Sequence, residues 1–213
     1  PVILLSDGYI ANASEPWLLP DINDYEPFPA KFETNPEGFA PANRDPETLA
    51  RVWAKPGTPG LEHRIGGIEK QHETGNVSYD PENHEFMVKS REAKVDKIAD
   101  YIPLQTIDTG AEKGKVLILG WGSTYGTIKS AALHLQSQGK AVSHAHIKYM
   151  RPFPKTLGDI LKNFETVVIP EINNGQLIKI IRDKYFVDAK GYNKIMGVPI
   201  TKQELVTAVE QYL

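Results

Sequence analysis

The sequence has 213 residues, 40% of them hydrophobic, a formal net charge of -3 and no cysteine. This length fits one large domain or two small ones, and the charge gives no reason to expect nucleic acid or an anionic membrane as a partner. Without cysteine the chain has no disulfide and no thiolate-held zinc or iron–sulfur cluster, and without a membrane-spanning apolar run or a signal-peptide pattern we expect a cytoplasmic protein.

The N-terminal residues form an apolar run, residues 2–5, that predicts a buried strand. A short amphipathic segment over residues 9–19 follows, so this region predicts a strand–loop–helix unit. Because the chain opens on Pro1 and directly on a predicted strand, we expect it to be the C-terminal piece of a longer chain.

Residues 16–59 contain nine of the sixteen prolines and show neither a helical nor a strand period. A disordered linker is one interpretation, and a long ordered or wrapping loop is the other. The aromatic residues of this stretch favour the ordered loop, because disordered linkers are poor in aromatics; they are Trp17, Tyr25, Phe28, Phe32, Phe39 and Trp53.

Residues 57–75 combine five glycines with dense charge. A solvated charged loop is one interpretation, and a loop held by close contacts with a partner or a site is the other. The glycines favour the second, because ordering a glycine costs about 0.5–1 kcal/mol relative to alanine and contacts must return that cost. Four charged or titratable residues are the candidate interface: Glu62, His63, Arg64 and Glu69.

A helix is predicted to begin at Pro81, because Asp80 and Glu82 place acid beside the positive end of the helix dipole. Its apolar positions fall near one face, and Pro103 ends it; they are Val88, Val95, Ile98, Ala99 and Ile102. Residues 104–112 are predicted to connect two domains.

The second half of the chain alternates strand and helix patterns. Residues 116–119 predict a strand buried on both faces, and a glycine turn leads into a helix that ends near Gly139. Further strands are predicted over 141–149, 167–169 and 194–196, and further helices near 157–164, 177–185 and 201–212, the last opening with a Thr201–Glu204 capping box. The order predicts an α/β fold with a mostly parallel sheet and helices on both faces, over residues 112–213.

The glycine turn after the first of these strands is a candidate site, formed by Gly120, Gly122, Ser123 and Thr124. Its spacing, G-x-G-x-x-x-G, is one residue longer than the dinucleotide fingerprint, and the next strand ends without the acid that a ribose would need. NAD binding is therefore the weaker interpretation, and a tight turn that lets the helix pack on the sheet is the stronger one.

Two further groups lie on predicted strands. His144 and His146 share one strand face at a spacing found in metal sites, but no third ligand is evident, so a packed histidine pair is favoured over a metal site. Glu171 and Asn173 follow a strand, where open α/β sheets bind ligands. Helix capping is the alternative for this second group.

Seven blocks of sequence carry a resemblance to a known family. They are VILLSD (2–7), SEPW (14–17), PGTPGLEHRIGGIEK (56–70), NHE (83–85), LGWGSTYG (119–126), PFP (152–154) and PEINNGQL (170–177). Together they resemble the C-terminal part of the alpha subunit of 2-oxoacid:ferredoxin oxidoreductases, most closely the 2-oxoglutarate type. The resemblance covers essentially the whole chain.

The resemblance implies a fold, a reaction and partners. Residues 1–111 would be the C-terminal part of a pyrimidine-side thiamine-binding domain with a long loop, and residues 112–213 a transketolase-C-like domain. Enzymes of the family decarboxylate a 2-oxoacid oxidatively onto coenzyme A, using thiamine diphosphate with Mg, and pass electrons through [4Fe-4S] clusters to ferredoxin.

Within such a complex this chain would hold no cofactor alone. The diphosphate-binding domain and the clusters would lie on a beta subunit, and the family's catalytic residues match no position here. The chain alone is therefore expected to be inactive. A docking module that serves assembly only, and less favourably an NAD-binding enzyme, stay as alternatives.

Overall fold

The computed structural model describes residues 3–6, 8–14, 16, 18–26 and 30–213, and these form two compact units. The loop unit comprises residues 16–101, and the sheet unit comprises residues 1–15 together with 102–213. No helix of the described chain is long and apolar enough to cross a membrane.

The predicted N-terminal strand is wrong where the structure describes it. Residues 3–5 form no strand, and the side chains of Ile3 and Leu4 are 84% and 87% exposed. The helix predicted over residues 9–19 is only the five-residue α1 (Gly8–Asn12). An apolar run becomes a strand only where a neighbouring strand accepts its backbone hydrogen bonds, and these residues pair with none in the described structure. Val2 lies outside the described residues.

The loop unit has little regular structure, as the ordered-loop interpretation predicts. Two short strands, β1 (Phe32–Glu33) and β2 (Trp53–Ala54), pair in parallel, and the rings of Phe32 and Trp53 lie 6.4 Å apart. An isolated antiparallel bridge joins Ala42 to Glu73. Of the aromatic residues behind that interpretation, Trp17 and Phe28 lie outside the described residues.

The helix of the loop unit begins where the sequence predicts. In α2 (Pro81–Asp96), the Asp80 carboxylate accepts a hydrogen bond from the Glu82 backbone N–H at 3.0 Å. A 3-10 helix, Lys97–Asp100, follows directly. The predicted apolar face is only partly correct, because Val88 is exposed and Met87 is the buried residue of α2.

The sheet unit contains four parallel strands in the order β4-β3-β5-β6. Its elements in chain order are β3 (Gly114–Trp121), α3 (Tyr125–Ser137), β4 (Val142–Ile147), α4 (Leu157–Lys162), β5 (Phe164–Glu171), α5 (Gln176–Tyr185), β6 (Lys190–Asn193) and α6 (Lys202–Glu210). The predicted α/β fold with a parallel sheet is confirmed, and Thr201 and Glu204 form the predicted capping box.

The last strand lies earlier than predicted. It covers Lys190–Asn193, whereas the predicted strand at residues 194–196 is wrong: the side chains of Ile195 and Met196 are exposed. The strand at residues 194–196 is predicted from apolar side chains. A strand forms, however, where the backbone pairs with a neighbouring strand, and residues 190–193 are the ones that pair with β5.

Helices cover both faces of the sheet, as predicted. On one face Val116 and Ile118 pack with residues of α3 and α6. On the other face Leu117 and Leu119 pack with residues of α4 and α5. Because successive side chains of a strand point to opposite faces, the apolar run 116–119 supplies both cores at once.

The segment predicted as a connection, residues 104–112, packs along β4. The His144 backbone N–H donates to the Thr109 carbonyl at 2.9 Å, and the Asp108 N–H donates to the His144 carbonyl at 2.8 Å. The buried Gln105 side chain donates to the His146 carbonyl at 3.0 Å. These bonds satisfy the outer edge of β4. The domain boundary between residues 111 and 112 stays a prediction.

Gly110 should tolerate no side chain at the position where this segment meets β4. Its φ is +95°, and an added Cβ would lie 2.7 Å from the Val142 carbonyl oxygen. We expect Gly110→Ala to lower the free energy of unfolding by about 2–4 kcal/mol, from left-handed strain plus the backbone clash. Urea unfolding of the 213-residue chain followed by circular dichroism measures this loss.

Gly139→Ala is the matched control, because Gly139 has a φ of +76° and an added Cβ there meets nothing within 4 Å. We expect it to cost only about 1–2 kcal/mol, the left-handed penalty alone. Equal losses for the two variants would contradict a close approach of residue 110 to β4.

Candidate functional site

The sequence-predicted residues of the sheet unit lie at or near the carboxyl ends of its parallel strands, except His144, which lies in the interior of β4. The glycine turn follows β3, the histidine pair lies on β4, and Glu171 ends β5. Because β3 is hydrogen-bonded to both β4 and β5, all three groups belong to the same edge of the sheet. This is the edge at which open α/β sheets usually bind ligands.

The glycine turn is tightly packed. A Cβ at Gly120 would lie 2.8 Å from His146 Nδ1 and closer still to the Ile128 side chain. Gly122 has a φ of +59°, and Gly122–Thr124 form a 3-10 helix in which the Thr124 hydroxyl donates to the Trp121 carbonyl at 2.8 Å. Thr124 is buried, while Ser123 is half-buried. These contacts favour the tight-turn interpretation over a dinucleotide site.

The histidine pair on β4 packs against Tyr125, the first residue of α3. The rings of His144 and His146 have their centroids 5.9 Å apart, and the Tyr125 ring lies 5.5 Å from the first and 4.9 Å from the second. His146 Nε2 lies 3.1 Å from the Gly122 carbonyl, so this nitrogen carries the proton and donates. The pair therefore joins β4 to the start of α3.

Burial keeps His144 neutral. The residue is fully buried, and neither of its ring nitrogens has a hydrogen-bond partner in the described structure. Burial lowers the pKa of His144 to about 4, against the opposing attraction of the Asp108 carboxylate. Burial is also the main cause that lowers the pKa of His146. A neutral, enclosed pair agrees with the packed-histidine interpretation, and the described residues contain no group of three metal-ligating side chains.

Glu171 and Asn173 cap the N-terminus of α5. The Glu171 carboxylate is fully buried and accepts the backbone N–H groups of Leu177 at 2.9 Å and Ile178 at 3.2 Å. Asn173 Oδ1 accepts the Gln176 N–H at 2.9 Å. A carboxylate that receives two amides at a helix N-terminus is stabilised by those bonds and by the helix dipole. The capping interpretation accounts for both residues.

The charged candidates of the loop unit lie in different surroundings. Glu62 and Arg64 are exposed, and the Nδ1 of His63 lies 2.7 Å from the Leu61 carbonyl. Glu69 binds α2: its carboxylate lies 2.6 Å from His84 Nδ1 and 3.2 Å from Arg91 Nη1. The bonds from Arg91 and His84 lower the pKa of Glu69 to about 2. Glu69 thus joins the loop to α2, whereas Glu62 and Arg64 are exposed.

Sequence reasoning missed three residues around the histidine pair: Gln105, Asp108 and Tyr125. Asp108 Oδ2 accepts the backbone N–H of His146 at 2.9 Å, at the strand end where no acid was found in the sequence of β4. Gln105 and Asp108 come from the supposed connection, so no local pattern marks them. Tyr125 could have been identified from the sequence, because it is an aromatic residue within the glycine turn, directly before Gly126.

The comparisons with known proteins agree with this architecture. Residues 114–205 match the family model of the pyruvate:ferredoxin oxidoreductase core domain II. The 2-oxoglutarate oxidoreductase subunit KorA of Mycobacterium tuberculosis is 47% identical over 205 residues, which cover 96% of this chain and 31% of that protein. The 2-oxoglutarate synthase subunit KorA of Archaeoglobus fulgidus is 27% identical over 99% of this chain and 52% of its own length.

A solved structure shares the arrangement. The 2-oxoglutarate:ferredoxin oxidoreductase from Magnetococcus marinus, with 2-oxoglutarate, coenzyme A and succinyl-CoA bound, matches with a TM-score of 0.82 and 26% identity over 91% of this chain and 34% of that chain. Residues 114–205 of the sheet unit are therefore similar to core domain II of these oxidoreductases. The chain as a whole is homologous to alpha subunits of 2-oxoacid:ferredoxin oxidoreductases of the 2-oxoglutarate type, and it spans about a third to a half of the curated relatives named above.

The buried histidine should make the chain acid-sensitive. The pKa of His144 is about 4 when folded against 6.5 normally, so the unfolded chain binds more protons between these values and stability falls as pH falls through that window. We expect the free energy of unfolding to drop by about 3 kcal/mol from pH 7 to pH 4 through this residue. Urea unfolding at successive pH values measures the drop.

His144→Leu should reduce the slope of that pH profile, because a leucine has no proton to bind, and His146, whose pKa is also lowered, should keep the remaining part. His134→Gln is the control on the adjacent helix, and it should keep the wild-type slope, since His134 is not fully buried. The same slope in His144→Leu and wild type would show that another group carries the acid sensitivity.

Proposed function

We propose that this chain is part of the alpha subunit of a thiamine diphosphate-dependent 2-oxoacid:ferredoxin oxidoreductase, with 2-oxoglutarate as the favoured substrate. The complete enzyme would decarboxylate the 2-oxoacid oxidatively, form the acyl-CoA and pass the electrons to ferredoxin. The 47% identity to a 2-oxoglutarate oxidoreductase subunit over 96% of the chain is the observation that carries this proposal.

The residues of this chain do not fit the redox cofactors of such an enzyme. A [4Fe-4S] cluster takes thiolate ligands, and the sequence contains no cysteine. The described residues contain no group of three or more His, Cys, Asp or Glu side chains that could hold a metal ion by themselves. Within the proposal, the diphosphate-binding domain and the clusters belong to a beta subunit.

The contribution of the chain would be structural support and docking. The candidate residues at the sheet edge are engaged internally: Glu171 and Asn173 bind the start of α5, and Gly120 lies against His146. Within the proposal, residues 1–111 are the C-terminal part of a pyrimidine-side thiamine-binding domain and residues 112–213 a transketolase-C-like domain. A module that serves assembly alone would also have these internally bonded residues, but its complex would catalyse no reaction.

The isolated 213-residue chain should show no oxidoreductase activity. We expect no reduction of a viologen dye with 2-oxoglutarate and coenzyme A, because the sequence contains no cysteine to hold an iron–sulfur cluster. The control is the reconstituted alpha–beta complex that contains this sequence, which should reduce the dye under the same conditions. Dye reduction by the purified chain alone would contradict the proposal, and an inactive complex would leave the assembly module as the better function.

Arg64 provides a test of the proposed interface. The residue is exposed, its guanidinium lies against Gly67, and it offers a planar fork for a carboxylate of the beta subunit. We expect Arg64→Ala to weaken alpha–beta association by roughly tenfold, the effect of losing about 1.4 kcal/mol. Association is measured by surface plasmon resonance and turnover by dye reduction. Lys55→Ala, which removes another exposed charge of the loop unit, should change neither.

If association and turnover of Arg64→Ala both equal those of the wild type, residues 57–75 form a solvated tether. That result would remove the interface without touching the proposed reaction.

A further inference from the structure

Two arginines lie side by side in the loop unit. Arg44 and Arg51 are partners in an isolated antiparallel bridge, so their side chains start from adjacent backbone positions. Arg44 Nη1 donates to the Leu49 carbonyl at 3.0 Å, while Arg51 donates to the Pro41 carbonyl from Nε at 2.9 Å and from Nη2 at 2.7 Å. Both guanidinium groups are therefore held in place by backbone carbonyls, which are neutral.

No carboxylate neutralises these two charges among the described residues. The Asp45 carboxylate, next in sequence to Arg44, accepts the backbone N–H and the hydroxyl of Thr48 at 2.6 and 2.9 Å. Glu69 is paired with Arg91 and His84. An ion pair of either arginine with a carboxylate is absent from the described structure, so two positive charges adjoin without compensation.

Of the two arginines, Arg44 has the less favourable environment. Its Nε is shielded from solvent and has no hydrogen-bond acceptor in the described structure. Burial and, after it, the positive charges of Arg51 and Arg91 lower the pKa of Arg44. A shielded N–H of a charged group without an acceptor is unfavourable, so an anion that supplied the acceptor would gain binding free energy from it.

Bracing of the turn explains only part of this arrangement. The bond from Arg44 to Leu49 closes the turn of residues 45–50, and a single neutral donor would close it equally well. A turn that needed only one donor would not require a second cation beside the first, because like charges repel. The unused donors point to a ligand: with Nη1 of Arg44 engaged, its Nε–Nη2 edge is left, and Arg51 keeps Nη1.

We propose that Arg44 and Arg51 form a binding site for a phosphate group. Two adjacent guanidinium groups match the charge of a phosphate dianion, and the free edge of Arg44 matches the spacing of two phosphate oxygens. An anion at this edge gives Arg44 Nε the acceptor that it lacks in the described structure. The site lies wholly within the loop unit, and it stands whether or not the proposed oxidoreductase function is correct. The ligand is inorganic phosphate or the phosphate group of a phosphomonoester.

The test measures phosphate binding by the 213-residue chain. Inorganic phosphate is titrated by calorimetry against sodium chloride of equal ionic strength, because general screening must be separated from a site. We expect saturable binding to the wild type and a roughly tenfold weaker affinity in Arg44→Gln and in Arg51→Gln, a loss of about 1.4 kcal/mol. Arg44→Lys keeps the charge without the fork and should also weaken binding.

Lys55→Gln is the matched control, because it removes one positive charge from an exposed side chain of the same unit. It should keep the wild-type phosphate affinity. Adenosine monophosphate is titrated in parallel: tighter binding than inorganic phosphate identifies a phosphomonoester ligand, and equal or weaker binding identifies the free anion. Circular dichroism shows which variants are folded, and the Arg44 Nε–H resonance of the wild type should shift on saturation.

The proposal is overturned if the wild type binds no phosphate beyond the chloride control, or if Arg44→Gln, Arg51→Gln and Lys55→Gln bind it equally. If a variant fails to fold, the Nε–H resonance of the wild type decides: an Arg44 signal that stays unchanged under saturating phosphate also overturns the proposal.

Discussion

The burial of β3 on both faces is the constraint on which the sheet unit depends. All four residues from Val116 to Leu119 are fully buried, with α3 and α6 against one face and α4 and α5 against the other. At about 25 cal/mol per Å² of apolar surface, such central residues contribute more than any exposed contact of the unit. The neighbouring strands take their register from β3, and the turns at its end are placed accordingly.

Close packing at the end of β3 determines what the sheet edge can do. Gly120 admits the Ile128 side chain and the His146 ring, and this brings Tyr125 over the histidine pair. At the end of β3 this edge is packed with the unit's own side chains, while a cavity of about 200 Å³, lined in part by Asp108 and His146, lies at the end of β4.

The loop unit is organised by polar contacts more than by an apolar core. Asp80 caps α2, Glu69 joins the charged loop to that helix, and arginine side chains bind backbone carbonyls. Polar contacts of this kind fix a backbone path without large apolar burial, because each buried carbonyl still requires a donor. They also leave charges that the unit itself does not neutralise, and such charges are where a ligand or another subunit adds most.

The α/β class, the doubly buried β3, the glycine at the end of α3 and the start of α2 could be predicted from the sequence, because periodicity, glycine and capping residues act locally. The family could be predicted because seven blocks of sequence occur in register along the chain. Tertiary structure decided the rest. Residues 3–5 are apolar yet form no strand, while Lys190–Asn193, with little apolar content, pair with β5. Asp108 reaches His146 from a segment that looked like a connection. Strand pairing and non-local hydrogen bonds depend on which backbone lies alongside, and no local pattern in a single sequence records that.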